Sequence, residues 1–292
     1  MKDKLIRATT MDGTVRAAAC VATELVETAR KQHNTAATAT AALGRALIAN
    51  IFLALNLKGE DVVTLRILGD GPLGGIITQA DANCTVRGYV QEPNVQLDVN
   101  PQGKLDVGGA VGKNGFIYVT KDLGLKEPYT GCSELVTGEI GDDVAYYLNQ
   151  SEQTPAVVGV GVLIDRDHSC LAAGGFFIQA LPGAEIELLE HLERNIQDVT
   201  SVSKLIQEGI TPEEMLVKVF GDIPYKILDE EVWSFSCNCN RPKLEGVLLS
   251  LGQAELEDMI EKDGQAELRC HFCNEKYNFS KEELQALLDR GK

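Results

Sequence analysis

Four cysteines crowd into the last 56 residues of this 292-residue chain, as Cys237-Asn238-Cys239, thirty intervening residues, and Cys270-His271-Phe272-Cys273. Two close pairs joined by a loop suit the wrapping of four thiolates around one zinc ion, tetrahedrally and at about 2.3 Å from each sulfur. The first pair is C-x-C, where ordinary zinc ribbons and knuckles use wider spacings. Residues i and i+2 can close only a small strained ring, and strain raises a disulfide's reduction potential. A metal-bound thiolate is also already in its deprotonated, reactive form. The cluster therefore has the chemistry of a sensor as well as of a staple.

Other groups carry less. His271 lies between two ligands, but four thiolates already close a structural shell, so it reads as a solvent-facing neighbour. Cys270-His271-Phe272-Cys273 alone would suit a thioredoxin-type pair, except that such pairs follow a strand in a βαβ setting and have no second cysteine pair upstream. Cys20, Cys84, Cys132 and Cys170 are scattered singly and receive no role. Gly69-Asp70-Gly71-Pro72-Leu73-Gly74 matches a dinucleotide fingerprint literally, but strand-like residues follow it where a helix should begin, so it reads as a tight strand connection. Gly112-Lys113-Asn114 lacks the Ser or Thr that would hold magnesium. Only His33, His168, His191 and His271 exist, and none stands beside a nucleophile motif; Asp165, Asp167 and His168 fit a hairpin turn. No enzyme is expected.

The elements that must position the cysteines follow from periodicity. Residues 14–33 and 35–57 carry apolar or alanine-rich spacing that predicts two helices forming a hairpin. Residues 62–68, 75–80, 85–90, 116–121, 156–165 and 171–180 are short β-branched or aromatic runs, which predict strands of an antiparallel or mixed sheet. That makes residues 1–183 an α+β domain. From residue 184 the pattern becomes an acidic amphipathic helix, and Thr211-Pro212-Glu213-Glu214 reads as N-cap, proline at N1 and glutamate at N3 of another. Residues 184–231 are thus a helical linker whose apolar stripe needs a partner surface. Residues 232–292 form a small zinc-binding domain, ending in a helix capped by Ser280-Lys281-Glu282-Glu283. So small a unit has little core, and metal binding can supply about 10–16 kcal/mol of its folding free energy.

Composition narrows the partners. With 44% hydrophobic residues the chain holds enough apolar material for a core, and its net charge of −16 repels polyphosphate. Residues 184–231 hold 4 basic and 12 acidic side chains, half of the whole excess. Residues 232–292 stand at −3, and four thiolates with one divalent ion would take them to −5, which opposes a nucleic-acid-binding zinc module. The densest apolar stretch, residues 46–57, contains Asn50 and Asn56 and is short of the roughly 20 residues a bilayer span needs. No secretory h-region is visible, so the expectation is a cytoplasmic protein with no membrane partner.

Taken together, C-x-C, the thirty-residue gap and C-x2-C resemble the heat shock protein 33 family of redox-regulated bacterial chaperones. The resemblance runs along nearly the whole chain: Asp12-Gly13-Thr14-Val15-Arg16-Ala17, Ala41-Ala42-Leu43-Gly44-Arg45, Gly69 to Gly74, Arg87-Gly88-Tyr89-Val90, Tyr146 through Pro155, and Ala173-Gly174-Gly175-Phe176. It implies an ATP-independent holdase, inactive when reduced with one Zn2+ on Cys237, Cys239, Cys270 and Cys273. Oxidation would pair Cys237 with Cys239 and Cys270 with Cys273, release zinc and loosen the linker. A homodimer would then capture unfolding or aggregating client proteins and later pass them to foldase chaperones. A thiol-disulfide oxidoreductase and a zinc-ribbon regulator of nucleic acid are the rival readings.

Overall fold

Two strands open the chain, β1 (Lys4–Thr10) and β2 (Val15–Val21), paired antiparallel with Leu5 opposite Cys20. The helix expected over residues 14–33 is therefore half strand, and only its second half is helical, as α1 (Thr23–His33). The reason is burial: β2 is covered on both faces, so it shows no polar alternation, and its alanines mimic helical spacing. The computed structural model describes residues 2–197, 199 and 201–290.

Next come α2 (Ala37–Ala54), β3 (Val62–Leu68), β4 (Ile76–Asp81), β5 (Thr85–Val90), α3 (Val107–Val111), β6 (Phe116–Asp122) and β7 (Tyr129–Glu134). They are followed by α4 (Gly141–Gln150), β8 (Ala156–Ile164), β9 (Cys170–Ala180), α5 (Ile186–Gln197), α6 (Val202–Gln207), α7 (Pro212–Phe220), β10 (Tyr225–Glu231) and β11 (Ser234–Phe235). The chain divides into two compact units at Phe235/Ser236, and the second holds α8 (Arg241–Ser250), α9 (Gln253–Lys262), β12 (Gln265–Arg269), β13 (Lys276–Ser280) and α10 (Lys281–Arg290). The α+β class expected from the sequence holds, with the six strand runs in place.

In the first unit, one sheet has the order β10-β1-β2-β9-β8 and the other β11-β5-β4-β3-β6-β7. Helix α2 lies between them: Leu43, Leu47, Ile48 and Ile51 share a core with Leu5 and Phe177 of the first sheet and Leu65 and Ile67 of the second. An all-round apolar helix must be buried. By length and composition α2 could cross a membrane, but 89% of it is buried inside the protein.

The outer face of the first sheet is covered by α5–α7. Leu192, Met215, Leu216, Val219 and Phe220 are buried against Ile6, Val15, Ala17, Phe176 and Ile178, with Leu188, Leu189, Ile196 and Leu205 packed around them. The stripe that needed a partner finds it in this sheet. Thr211 caps α7 reciprocally as expected: its hydroxyl accepts from Glu214 N at 3.2 Å, and Glu214 Oε2 accepts from Thr211 N at 2.8 Å.

Candidate metal centre

Two short segments of the second unit deliver the thiols. Asn240 ends the first by capping α8, its Oδ1 accepting from Lys243 N at 3.0 Å, and Lys243 Nζ donates back to Asn238 O at 2.9 Å. The second segment is the tip of the β12–β13 hairpin, whose register closes at Arg269 opposite Lys276. There Asn274 N donates to Cys270 O at 2.7 Å and Cys270 N to Glu275 O at 2.9 Å, with Asn274 left-handed at φ 62. Asn is among the few side chains that tolerate that region. Beneath the hairpin, Leu248, Leu256, Ile260, Phe279, Leu284, Leu287 and Leu288 form the unit's core, and Ser280 and Glu283 cap α10 reciprocally.

The sulfurs of Cys237, Cys239, Cys270 and Cys273 all lie within 4.8 Å of one another. Cys237 Sγ is 3.8 Å from Cys270 Sγ, and Cys239 Sγ is 3.3 Å from Cys273 Sγ. A tetrahedron with metal–sulfur bonds of about 2.3 Å has edges of about 3.8 Å, so the donor set fits one ion. Among the described residues these four alone form such a group, and His271 is exposed beside it. Tyr277 Oη lies 3.4 Å from Cys239 Sγ. Burial raises the Cys239 thiol, but hydrogen bonds from Tyr277 and Cys273 outweigh it and hold Cys239 below the ordinary thiol range. Desolvation pushes Cys270 and Cys273 up, opposed by backbone amides donating to their sulfurs. Tyr277 is itself pushed up to about 12 by its hydrogen bond with Cys239.

The remaining sequence candidates fall where packing explains them. Burial pushes the Cys20 and Cys170 thiols up to about 12, Cys84 is half-buried, and Cys132 is exposed on β7. The glycine-rich stretch joins β3 to β4 by packing backbone on backbone. Gly71 N donates to Val111 O at 3.0 Å, and a Cβ at Gly71 would meet Ala110 O at 2.3 Å. Asp70 accepts from Asn114 N and Nδ2, so the two glycine motifs bind each other. Asp165, Asp167 and His168 form the β8–β9 turn.

Sequence reasoning missed the approach to the cluster. Trp233 is 6% exposed within the first unit's core, with Nε1 donating to Glu231 Oε2 at 2.8 Å. Phe235 is buried edge-on to His33, and Ser234 N donates to Cys84 O at 3.1 Å. Two aromatic residues just after the acidic run Asp229-Glu230-Glu231 were the available signal.

This architecture has a solved counterpart. The crystal structure of the 33 kDa chaperonin (heat shock protein 33 homolog) of Thermotoga maritima matches with a TM-score of 0.93 and 40% identity, covering 99% of each chain. The 33 kDa chaperonin of Desulforamulus reducens is 50% identical over 290 residues, 99% of this chain and 98% of that one. That of Bacillus subtilis is 50% identical over 288 residues, 99% of each. Fold and cluster thus define a chaperone class, in general a non-enzymatic one. The model for Hsp33 protein matches residues 3–280, and the chain belongs to the Hsp33 family.

Proposed function

We propose that this protein is a cytoplasmic, redox-regulated, ATP-independent holdase whose switch is the four-thiol cluster. The observation that carries the proposal is the convergence of four sulfurs within 4.8 Å, in a small unit of an Hsp33-family chain. When reduced, Cys237, Cys239, Cys270 and Cys273 hold one Zn2+, which supplies a structural crosslink and keeps the thiols as thiolates. Oxidation by two equivalents of peroxide joins Cys237 to Cys239 and Cys270 to Cys273; each pair of thiolates gives two electrons to one peroxide, which leaves as two hydroxides. Residues 232–292 serve as the switch, residues 184–231 as the linker, and residues 1–183 as the core.

The energetics favour this order. A unit whose core has seven buried residues depends on its metal far more than the two-sheet unit does. Once residues 232–292 unfold, α5–α7 loosen and uncover the apolar outer face of the first sheet, which binds unfolding clients by the hydrophobic effect. The charge of −8 on residues 184–231 keeps the opened chain soluble. The active form dimerises, and reduction returns the client to foldase chaperones.

The test is suppression of thermal aggregation of a test protein, with and without peroxide, while a chromophoric chelator follows zinc release. Activity should appear with release. Equal activity in the reduced, fully metal-bound protein overturns the switch, and steady turnover of an insulin disulfide would make the protein an oxidoreductase instead.

A further inference from the structure

We infer that Tyr277 is a positioning residue of the thiol cluster: its hydroxyl donates to Cys239 Sγ and slows the reaction of that sulfur with peroxide. The inference rests on the redox reading above and names a residue that regulates it. The two atoms are 3.4 Å apart. Either could donate between neutral groups, but a metal-bound thiolate has no proton, so there the phenol must be the donor.

The placement is built. Tyr277 stands on β13 opposite Leu268, and its ring packs on the core of Leu248, Phe279 and Leu284. Beside it Arg241, stacked 4.3 Å above the Phe279 ring, donates to Asn278 O at 3.1 Å and ties the start of α8 to β13. The hydroxyl is thereby held against a sulfur that lies 38 residues upstream. Cys270 and Cys273 take backbone amides of their own turn, which every sequence supplies; Cys239 takes a side chain, which the sequence can vary.

The chemistry gives the direction. In the first step the Cys239 thiolate attacks one peroxide oxygen, the O–O bond breaks, a sulfenic acid forms and hydroxide leaves. In the second a neighbouring thiolate attacks that sulfur, the S–S bond forms and a second hydroxide leaves. The electron pair that Tyr277 stabilises is the one that must move to oxygen, so the hydrogen bond weakens on the way to the transition state. Hydrogen bonds to charged groups are the stronger class, and losing part of one corresponds to a rate effect of about three- to tenfold.

The experiment uses the full-length, metal-loaded protein. In Tyr277→Phe, peroxide oxidation of Cys239, followed by alkylation trapping and mass spectrometry, should run about three- to tenfold faster than in the parent chain, with one metal per chain retained. Cobalt substitution gives a second readout: without the donor, the sulfur-to-cobalt charge-transfer band should move to lower energy. Replacing Tyr277 by 3-fluorotyrosine, which preserves the ring and strengthens the donor, should slow Cys239 oxidation. Unchanged Cys239 rates and an unchanged cobalt band overturn the inference and leave the switch standing, and so does loss of metal in Tyr277→Phe, which would make the residue merely structural. A parent protein that binds no metal, or keeps it under peroxide, overturns the switch itself and the inference with it.

Discussion

If the covered stripe on α5–α7 is the client surface, lifting it without touching the cluster should activate the reduced protein. Phe220 is the place to try: it is fully buried, stacks on Tyr225 with ring centroids 4.4 Å apart, and packs on the outer face of the first sheet. Phe220→Ala should cost about 3–5 kcal/mol, from lost transfer energy and the cavity left behind. If residues 184–223 open as one local unit, that cost enters its opening equilibrium directly. At 1.4 kcal/mol per tenfold, the open fraction rises by roughly two to three and a half orders of magnitude. The assay pairs hydrogen exchange by mass spectrometry with aggregation suppression, both on reduced, metal-loaded protein. Exchange should accelerate over α5–α7 by about that factor while α2 stays protected, metal content stays at one per chain, and aggregation of a test protein is suppressed without oxidant. Accelerated exchange with no suppression refutes the stripe as the client surface; unchanged exchange refutes its opening as a unit.

The remaining predictions probe the cluster and the scaffold. Cys239→Ser and Cys270→Ser should each lose most of the single bound zinc measured by elemental analysis, since each removes one of four ligands. Asp143→Asn should cost about 3–5 kcal/mol in denaturant unfolding, because the buried carboxylate accepts from the amides of Val136, Thr137, Gly138 and Ile140, and an amide group would turn a donor toward donors. Arg30 and, less strongly, the Cys170 amide hold the Glu27 carboxyl down to about 2 from an ordinary 4.5, against the opposing effect of burial. A depressed carboxyl stabilises above its unfolded value, so this contribution, about 1–2 kcal/mol after screening, is present above pH 4.5 and lost as pH falls toward 2. Denaturant midpoints of Glu27→Gln should accordingly fall less steeply over that window.

What the sequence made legible depended on whether the cause was local. The capping boxes at Thr211 and Ser280 are written in four consecutive residues, and the structure realises both. The convergence of the four thiols was readable because chelation imposes spacing. Strand β2 was not, because burial on both faces removes the alternation that marks a strand. Strand β10 escaped for the opposite reason: its exposed sheet-edge run of Tyr225–Glu231 is mostly polar, and pairing with β1 alone makes it a strand. Asp143 gathers amides from a loop three to seven residues upstream, and Tyr277 meets a sulfur 38 residues away, so neither leaves a local trace.

Chain connectivity adds a constraint that neither unit shows alone. Trp233 and Phe235 are buried in the core of the first unit, and Ser236 is the single residue between that anchor and Cys237. The two peptide steps from Phe235 to Cys237 reach at most about 7 Å, so Cys237 cannot move far while Phe235 stays seated. The anchor in turn holds β10 from its far end: Glu231, which accepts from Trp233, also accepts from Arg7 at 3.3 Å on β1. From Cys237 back to α7 the chain runs through β11, the Trp233 anchor and β10 without a long free loop. If the thiols switch as proposed, change at them bears first on β11 and the buried aromatics, and only then on β10 and the helices that cover the first sheet. The coupling needs no contact between the two units; a short, anchored connection is enough.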